Sequence, residues 1–161
     1  HEFEDRYTFA ELCKEAEETD YITSRIDVNN KCFLAPENMT EAIKSYCNNN
    51  DLIIPDTAGE IAAVVYKSLA DSYADTVMQI EKNLDITYDA IYVIGGGANA
   101  GYLNQLTADS TGKTVVAGPA EATAIGNIMA QMIADSVFKN LKEARACVRD
   151  SFDIKRFEQK R

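Results

Sequence analysis

The stretch "AIYVIGGGANAGYLNQL", residues 90–106, runs an apolar segment into three consecutive glycines and then into a helical pattern. Few folds use that order. Residues 89–94 read as a buried strand and residues 99–110 as a helix, with Gly95, Gly96 and Gly97 between them. Glycine permits backbone angles and close approach that a Cβ forbids. The first amides of the following helix have no partners inside it, so a phosphate or a ribose can rest against them. A nucleotide loop is one reading of the triplet; a tight strand-to-helix turn is the other.

Two nucleotide-binding signatures compete for such a loop. A P-loop needs a Lys and then a Ser or Thr just after the glycines, because the ammonium must reach the phosphates. No Lys or Arg occurs between Lys82 and Lys113, which excludes it. A dinucleotide fingerprint fits better on spacing: Gly95, Gly97 and Ala100 match G-x-G-x-x-A, and Glu121 lies where a ribose-binding acid is wanted. Glu121 follows "AGPA" rather than closing the second strand, however, and only about forty residues remain, mostly helical. A dinucleotide fold needs further strand-helix units, which those residues are not expected to supply.

The rest of the chain is helix-rich, with five or six helices expected. "TFAELCKEAEE" opens on Thr8 with Glu11 three residues on, a capping box that starts a helix with Phe9, Leu12, Cys13 and Ala16 on one face. "NNKCFLAPEN" reads as a short extended piece ended by Pro36, and "MTEAIKSYC" as a helix stopped by Asn48, Asn49 and Asn50. Thr57 and Glu60 repeat the capping signature ahead of a helix of more than twenty residues. Its apolar face runs through Ile61, Val64, Val65, Leu69, Tyr73, Val77 and Ile80. A second short strand is expected at 114–117, and helices at 121–134 and 140–150.

Composition narrows the function. The 161 residues amount to about one domain. No apolar run approaches the roughly 18 residues needed to cross a bilayer, so a soluble, cytoplasmic protein is expected. Cys13, Cys32, Cys47 and Cys147 show no metal or redox spacing and are expected to be reduced, packed small hydrophobes. The only histidine is His1, which removes the usual general base and metal ligand. The net charge of −10 is concentrated in residues 1–60, with 14 acids against 5 bases. Neither nucleic acid nor an anionic membrane suits such a surface. A first residue other than Met suggests a piece of a longer chain.

"VIGGGANAGYLNQLTADSTGKTVVAGPAEATAIGNIMAQ", with "FLAPENM" and "TAGEIAAVVYKSLADSY" upstream, resembles the C-terminal domain of the FGGY carbohydrate kinases, and within that family its rhamnulokinase branch. Leu103, Asn104 and Gln105 after the triplet, then Ala108, Asp109, Thr111 and Gly112, then "VVAGP" with Glu121, Ala122 and Thr123, carry the likeness far beyond a lone glycine motif. The resemblance implies an α/β fold of the actin-like, ribonuclease H-like ATPase type, helix-rich here and with few strands. Residues 1–161 would then form the C-terminal nucleotide-binding domain, truncated on its N-terminal side, since the family's β-meander should precede Glu2.

The implied reaction moves the γ-phosphoryl of ATP, bound with Mg²⁺, to the 1-hydroxyl of L-rhamnulose. The sugar and the aspartate base belong mainly to an upstream half, so this piece alone is expected to be inactive. Carried over by position, Gly96 is the foremost nucleotide contact, flanked by Gly95 and Gly97. Relatives of this branch place an Asn at the position of Ala100; this chain has Asn99 beside it, either taking over that role or capping the helix. Asp56 and Asp109 have bland explanations, a helix start and an exposed helix face, and neither is expected to be catalytic. Two further readings stay open: a non-catalytic nucleotide- or partner-binding module of the actin-like superfamily, and a kinase for another sugar such as xylulose or fuculose. Loss of leading strands would leave 89–94 or 114–117 with an open edge, through which dimers are expected.

Overall fold

A computed structural model describes residues 7–19 and 21–160; His1 and Glu2 lie outside the described residues. Helix α1, Phe9–Glu18, begins as the capping pattern predicts: Thr8 Oγ1 accepts from the Glu11 amide at 3.3 Å, and Glu11 Oε2 accepts from the Thr8 amide at 2.7 Å. The same reciprocal pair, Thr57 and Glu60, starts the longest helix. Between them, α2 spans Met39–Asn49, capped by Asn38 rather than by the Thr that follows. Helix α3, Ala58–Leu84, has 27 residues and so extends about 40 Å.

Only the leading half of α3 is core. Ile61 and Val64 join Ile22, Ile26, Ile43 and Cys47 in one buried cluster, with Phe33, Tyr46 and Leu52 packed against it. Beyond Ala70 the expected apolar face runs out into solvent: Tyr73 is 41% exposed and Ile80 43% exposed. Periodicity correctly gave the helix, but α1 and α4, which pack against it, leave Tyr73 and Ile80 open to solvent. The segment expected as extended holds a 3-10 turn at Lys31–Phe33, nucleated by Asn30 Oδ1 accepting from the Cys32 amide at 3.1 Å. Nearby, the buried Lys67 ammonium donates to the Ile22 carbonyl at 2.9 Å and ties this segment to α3.

The sheet is small. Strand β1, Ala90–Val93, and β2, Thr114–Ala117, run parallel in the register Ala90↔Thr114 to Val93↔Ala117, joined by α4 at Gly101–Thr111. Helix α5, Ala122–Ala134, and α6, Leu141–Ser151, follow, and then β3, Lys155–Phe157, pairs antiparallel with β2. With the order β1-β2-β3, the expected open edge at 114–117 is closed, and only β1 of that pair keeps an unpaired side among the described residues. β3 gave no signal in the sequence because three residues, two of them charged, show no alternation.

The chain beyond β3 is fastened to α4. The Gln105 side-chain amide donates to the Glu158 carbonyl at 2.8 Å, and the Lys160 amide donates to Asp109 Oδ1 at 2.7 Å. Asp109 is therefore half-buried in a clamp, not on an open helix face as expected. The cysteines are all free. Cys47 is packed, and burial pushes its thiol pKa up, whereas Cys32 is exposed, against expectation.

Candidate functional site

The two loops that leave the carboxyl ends of β1 and β2 are stitched together. The Gly118 amide donates to the Val93 carbonyl at 2.9 Å, and the Gly95 amide donates to Pro119 at 3.4 Å. Both glycines hold left-handed backbone, φ +75° at Gly95 and +119° at Gly118. At Gly118 a Cβ would also stand 3.0 Å from the Asp153 carbonyl oxygen. These two are glycine because the turn demands it. Open α/β sheets bind ligands in the crevice at the carboxyl ends of their parallel strands, which is where this pair of loops lies.

Gly96 differs. Its φ lies outside the left-handed region, and a Cβ built on it meets nothing within 4 Å. Gly97, also exposed, would meet only Val93 Cγ1 at 3.4 Å. A tight turn accounts for Gly95 but gives no reason for the bare backbone at Gly96, which faces outward.

Residues Gly95–Asn99 form a 3-10 turn, and the Ala100 amide closes it on the Gly97 carbonyl at 3.1 Å. Helix α4 consequently starts at Gly101 with Ala100 at its N-cap and no side chain capping it, so Asn99 is not the cap. Asn99 is exposed and, with Ala98, lines a cavity of about 170 Å³ whose other walls are Gly118–Ala120 and the segment carrying Phe152, Asp153 and Lys155. Asn104, a motif residue to which the sequence alone assigns no role, shapes the loop: it is 2% exposed, and its side-chain amide donates to the Gly97 carbonyl at 3.2 Å and the Ala98 carbonyl at 3.3 Å. An asparagine one helical turn into α4, seven residues past a glycine, was the available signal.

Asp56, Glu60 and Glu81 are accounted for by their structural partners. Asp56 is 93% exposed beside Lys44, one residue before the α3 cap. Glu60 is held below the ordinary carboxylate range by the Tyr21 hydroxyl, which donates at 2.6 Å, and then by the amides of Asp56 and Thr57. Glu81 is lowered chiefly by the Lys113 ammonium at 2.7 Å, which joins the end of α3 to the start of β2. No trio of His, Cys, Asp or Glu able to hold a metal occurs among the described residues. A larger concavity, about 800 Å³, lies between α5 and α6 and reaches Tyr92 and Pro119; its lining is mostly apolar, with Arg145 and Arg149 on it. No described helix is long and apolar enough to cross a membrane.

Residues 4–134 match the C-terminal domain of the FGGY family of carbohydrate kinases. The chain is 47% identical over 154 residues to a rhamnulokinase of Bacillus subtilis (strain 168), covering 96% of this chain and 32% of that protein. It is 45% identical to a rhamnulokinase of Oceanobacillus iheyensis, covering 94% of this chain and 32% of the relative, and 43% identical to one of Halalkalibacterium halodurans, covering 96% and 33%. The chain thus spans about a third of the length of these relatives. Its helix-rich α/β architecture is that of the family's actin-like ATPase fold. The glycine loop, the strand pair beneath it and the match over most of the sequence agree, and the chain belongs to the FGGY family of carbohydrate kinases, as its C-terminal domain.

Proposed function

We propose that this chain is the nucleotide-holding part of an L-rhamnulose kinase. The observation that carries the reading is Gly96, bare toward solvent at the carboxyl end of a parallel strand pair without any conformational need to be so. The residues present fit ATP there. Gly96 and Gly97 leave room for the ribose or α-phosphate to approach the backbone, and Asn99 stands at the edge of the adjoining cavity with an amide to offer. Bound ATP supplies the phosphoryl group, and Mg²⁺ arrives on its phosphates. In the transfer, a bond forms between the sugar 1-oxygen and the γ-phosphorus as the bridging bond to the β-phosphate breaks, and the hydroxyl proton leaves to a base. This chain's part is to bind and orient the nucleotide; the base and the sugar contacts are assigned to the remainder of the kinase.

The test is Gly96→Val in the intact kinase. It should raise the KM for MgATP strongly and leave that for the sugar nearly unchanged, since a β-branched side chain blocks backbone approach while its Cβ meets no protein atom. Equal effects on both constants, or none, would refute the assignment. Comparing kcat/KM for L-rhamnulose with that for fuculose and xylulose decides the sugar. No turnover with any of them would favour a non-catalytic module.

A further inference from the structure

The glycine loop cannot neutralise a nucleotide's phosphates by itself, because no Lys or Arg lies between Lys82 and Lys113. The chain's net charge of −10 makes a local cation more necessary. We propose that Lys155, delivered to the loop by β3, is a nucleotide-positioning residue that contacts the phosphate end of the bound nucleoside polyphosphate. This rests on the nucleotide reading of the same site.

Three observations carry it. First, β3 runs antiparallel to β2, and the register sets Lys155 opposite Ala117, the last residue of β2. The amino end of β3 is thereby placed at the carboxyl end of the parallel pair, the ligand-binding end of such a sheet. Second, Lys155 lines the 170 Å³ cavity whose opposite wall is Ala98 and Asn99 of the glycine loop, and it is the cation on that lining. Phe152 and Asp153 complete the same wall. Third, Lys155 is exposed and forms no ion pair among the described residues, whereas Lys113 and Lys44 are engaged with Glu81 and Asp56. The strand that carries it is held by its pairing with β2 and by the clamp of the Lys160 amide on Asp109, so the ammonium is anchored at its base and free at its tip.

The test uses the intact kinase with Lys155→Gln, Lys155→Arg, Gly96→Val and, as a control for overall charge, Lys160→Gln. Lys155→Gln should weaken inhibition by ADP and raise the KM for MgATP about tenfold, the loss of one charged hydrogen bond. Inhibition by adenosine and the sugar KM should stay as in the wild type. Lys155→Arg should restore most of the ADP affinity, and Lys160→Gln should stay within about twofold of wild type. If Gly96→Val weakens ADP while Lys155→Gln does not, the role of Lys155 is overturned and the nucleotide site stands. If neither variant weakens ADP, the nucleotide reading itself fails. Equal weakening of adenosine and ADP by Lys155→Gln would also overturn the phosphate contact. Because Lys155 is exposed, both of its variants should fold; circular dichroism matching the wild type is the check.

Discussion

Asn104 offers the sharpest test of how the glycine loop is held. Replacing it with Ala removes the amide that donates to both loop carbonyls. The Gly97 carbonyl keeps a partner in the Ala100 amide, so its loss is the ordinary net value of one hydrogen bond, about 0.5–1.5 kcal/mol. The Ala98 carbonyl is left buried and unpaired, which costs about 1–3 kcal/mol. Together Asn104→Ala should cost roughly 2–4 kcal/mol, a large share of the stability of an ordinary domain. For a chain of this size that lowers Tm by about 4–16 °C. Urea unfolding followed by circular dichroism measures it, with Asn104→Leu in parallel to refill the volume without the donors. If Asn104→Leu matches wild type, the side chain only fills space and the argument fails. Asn104→Asp adds a pH signature. Facing two carbonyl oxygens, its carboxyl should have a pKa raised above the ordinary value of about 3.9. The protonated acid can donate in place of the amide, so the variant should be closest to wild type at low pH and lose stability as pH rises through the raised value.

Other outcomes follow from neighbouring contacts. Gly96→Ala should leave unfolding unchanged, while Gly118→Ala, with φ +119° and the Asp153 oxygen at 3.0 Å, should destabilise clearly in the same assay. Glu60 and Glu81 have lowered pKa values, so the stability they lend is complete above the ordinary glutamate range and is lost as pH falls through the lowered values; Glu60→Gln should flatten that part of the acid limb. Lys113→Met should raise the pKa of Glu81 toward 4.5, read by NMR titration. This chain alone should bind MgATP no tighter than about millimolar by isothermal titration, because two or three amide contacts barely offset the cost of association. It should also self-associate through the unpaired side of β1; a monomer by light scattering at high concentration would count against that.

Much of this fold was legible because local chemistry set it. Two capping boxes marked the starts of α1 and α3, and the glycine triplet marked the end of β1. The parts that were not legible depend on distant partners. Nothing in the spacing of Tyr73 and Ile80 says that they stay exposed while Ile61 and Val64 are covered. The 3-10 turn that keeps Asn99 outside helix α4 is fixed by Asn104 and by closure on Gly97, both read only in three dimensions. At the site, the sequence located the loop but could not distinguish Gly95, required by its backbone angle, from Gly96, which is not. β3 was invisible because its identity as a strand comes from β2, to which it pairs.

The attachment of β3 bears on how this domain can be cut. The family match ends at residue 134, and a cloning boundary placed there would appear natural. It would remove Lys155–Phe157, the strand partners of Val115, Val116 and Ala117. Val115, now wholly buried, would lie on a bare strand flank, and Asp109 would lose the backbone amide it holds. A truncation drawn from resemblance alone would thus convert a protected strand into an adhesive one, and poor recovery from expression would report a misplaced boundary rather than an unstable fold.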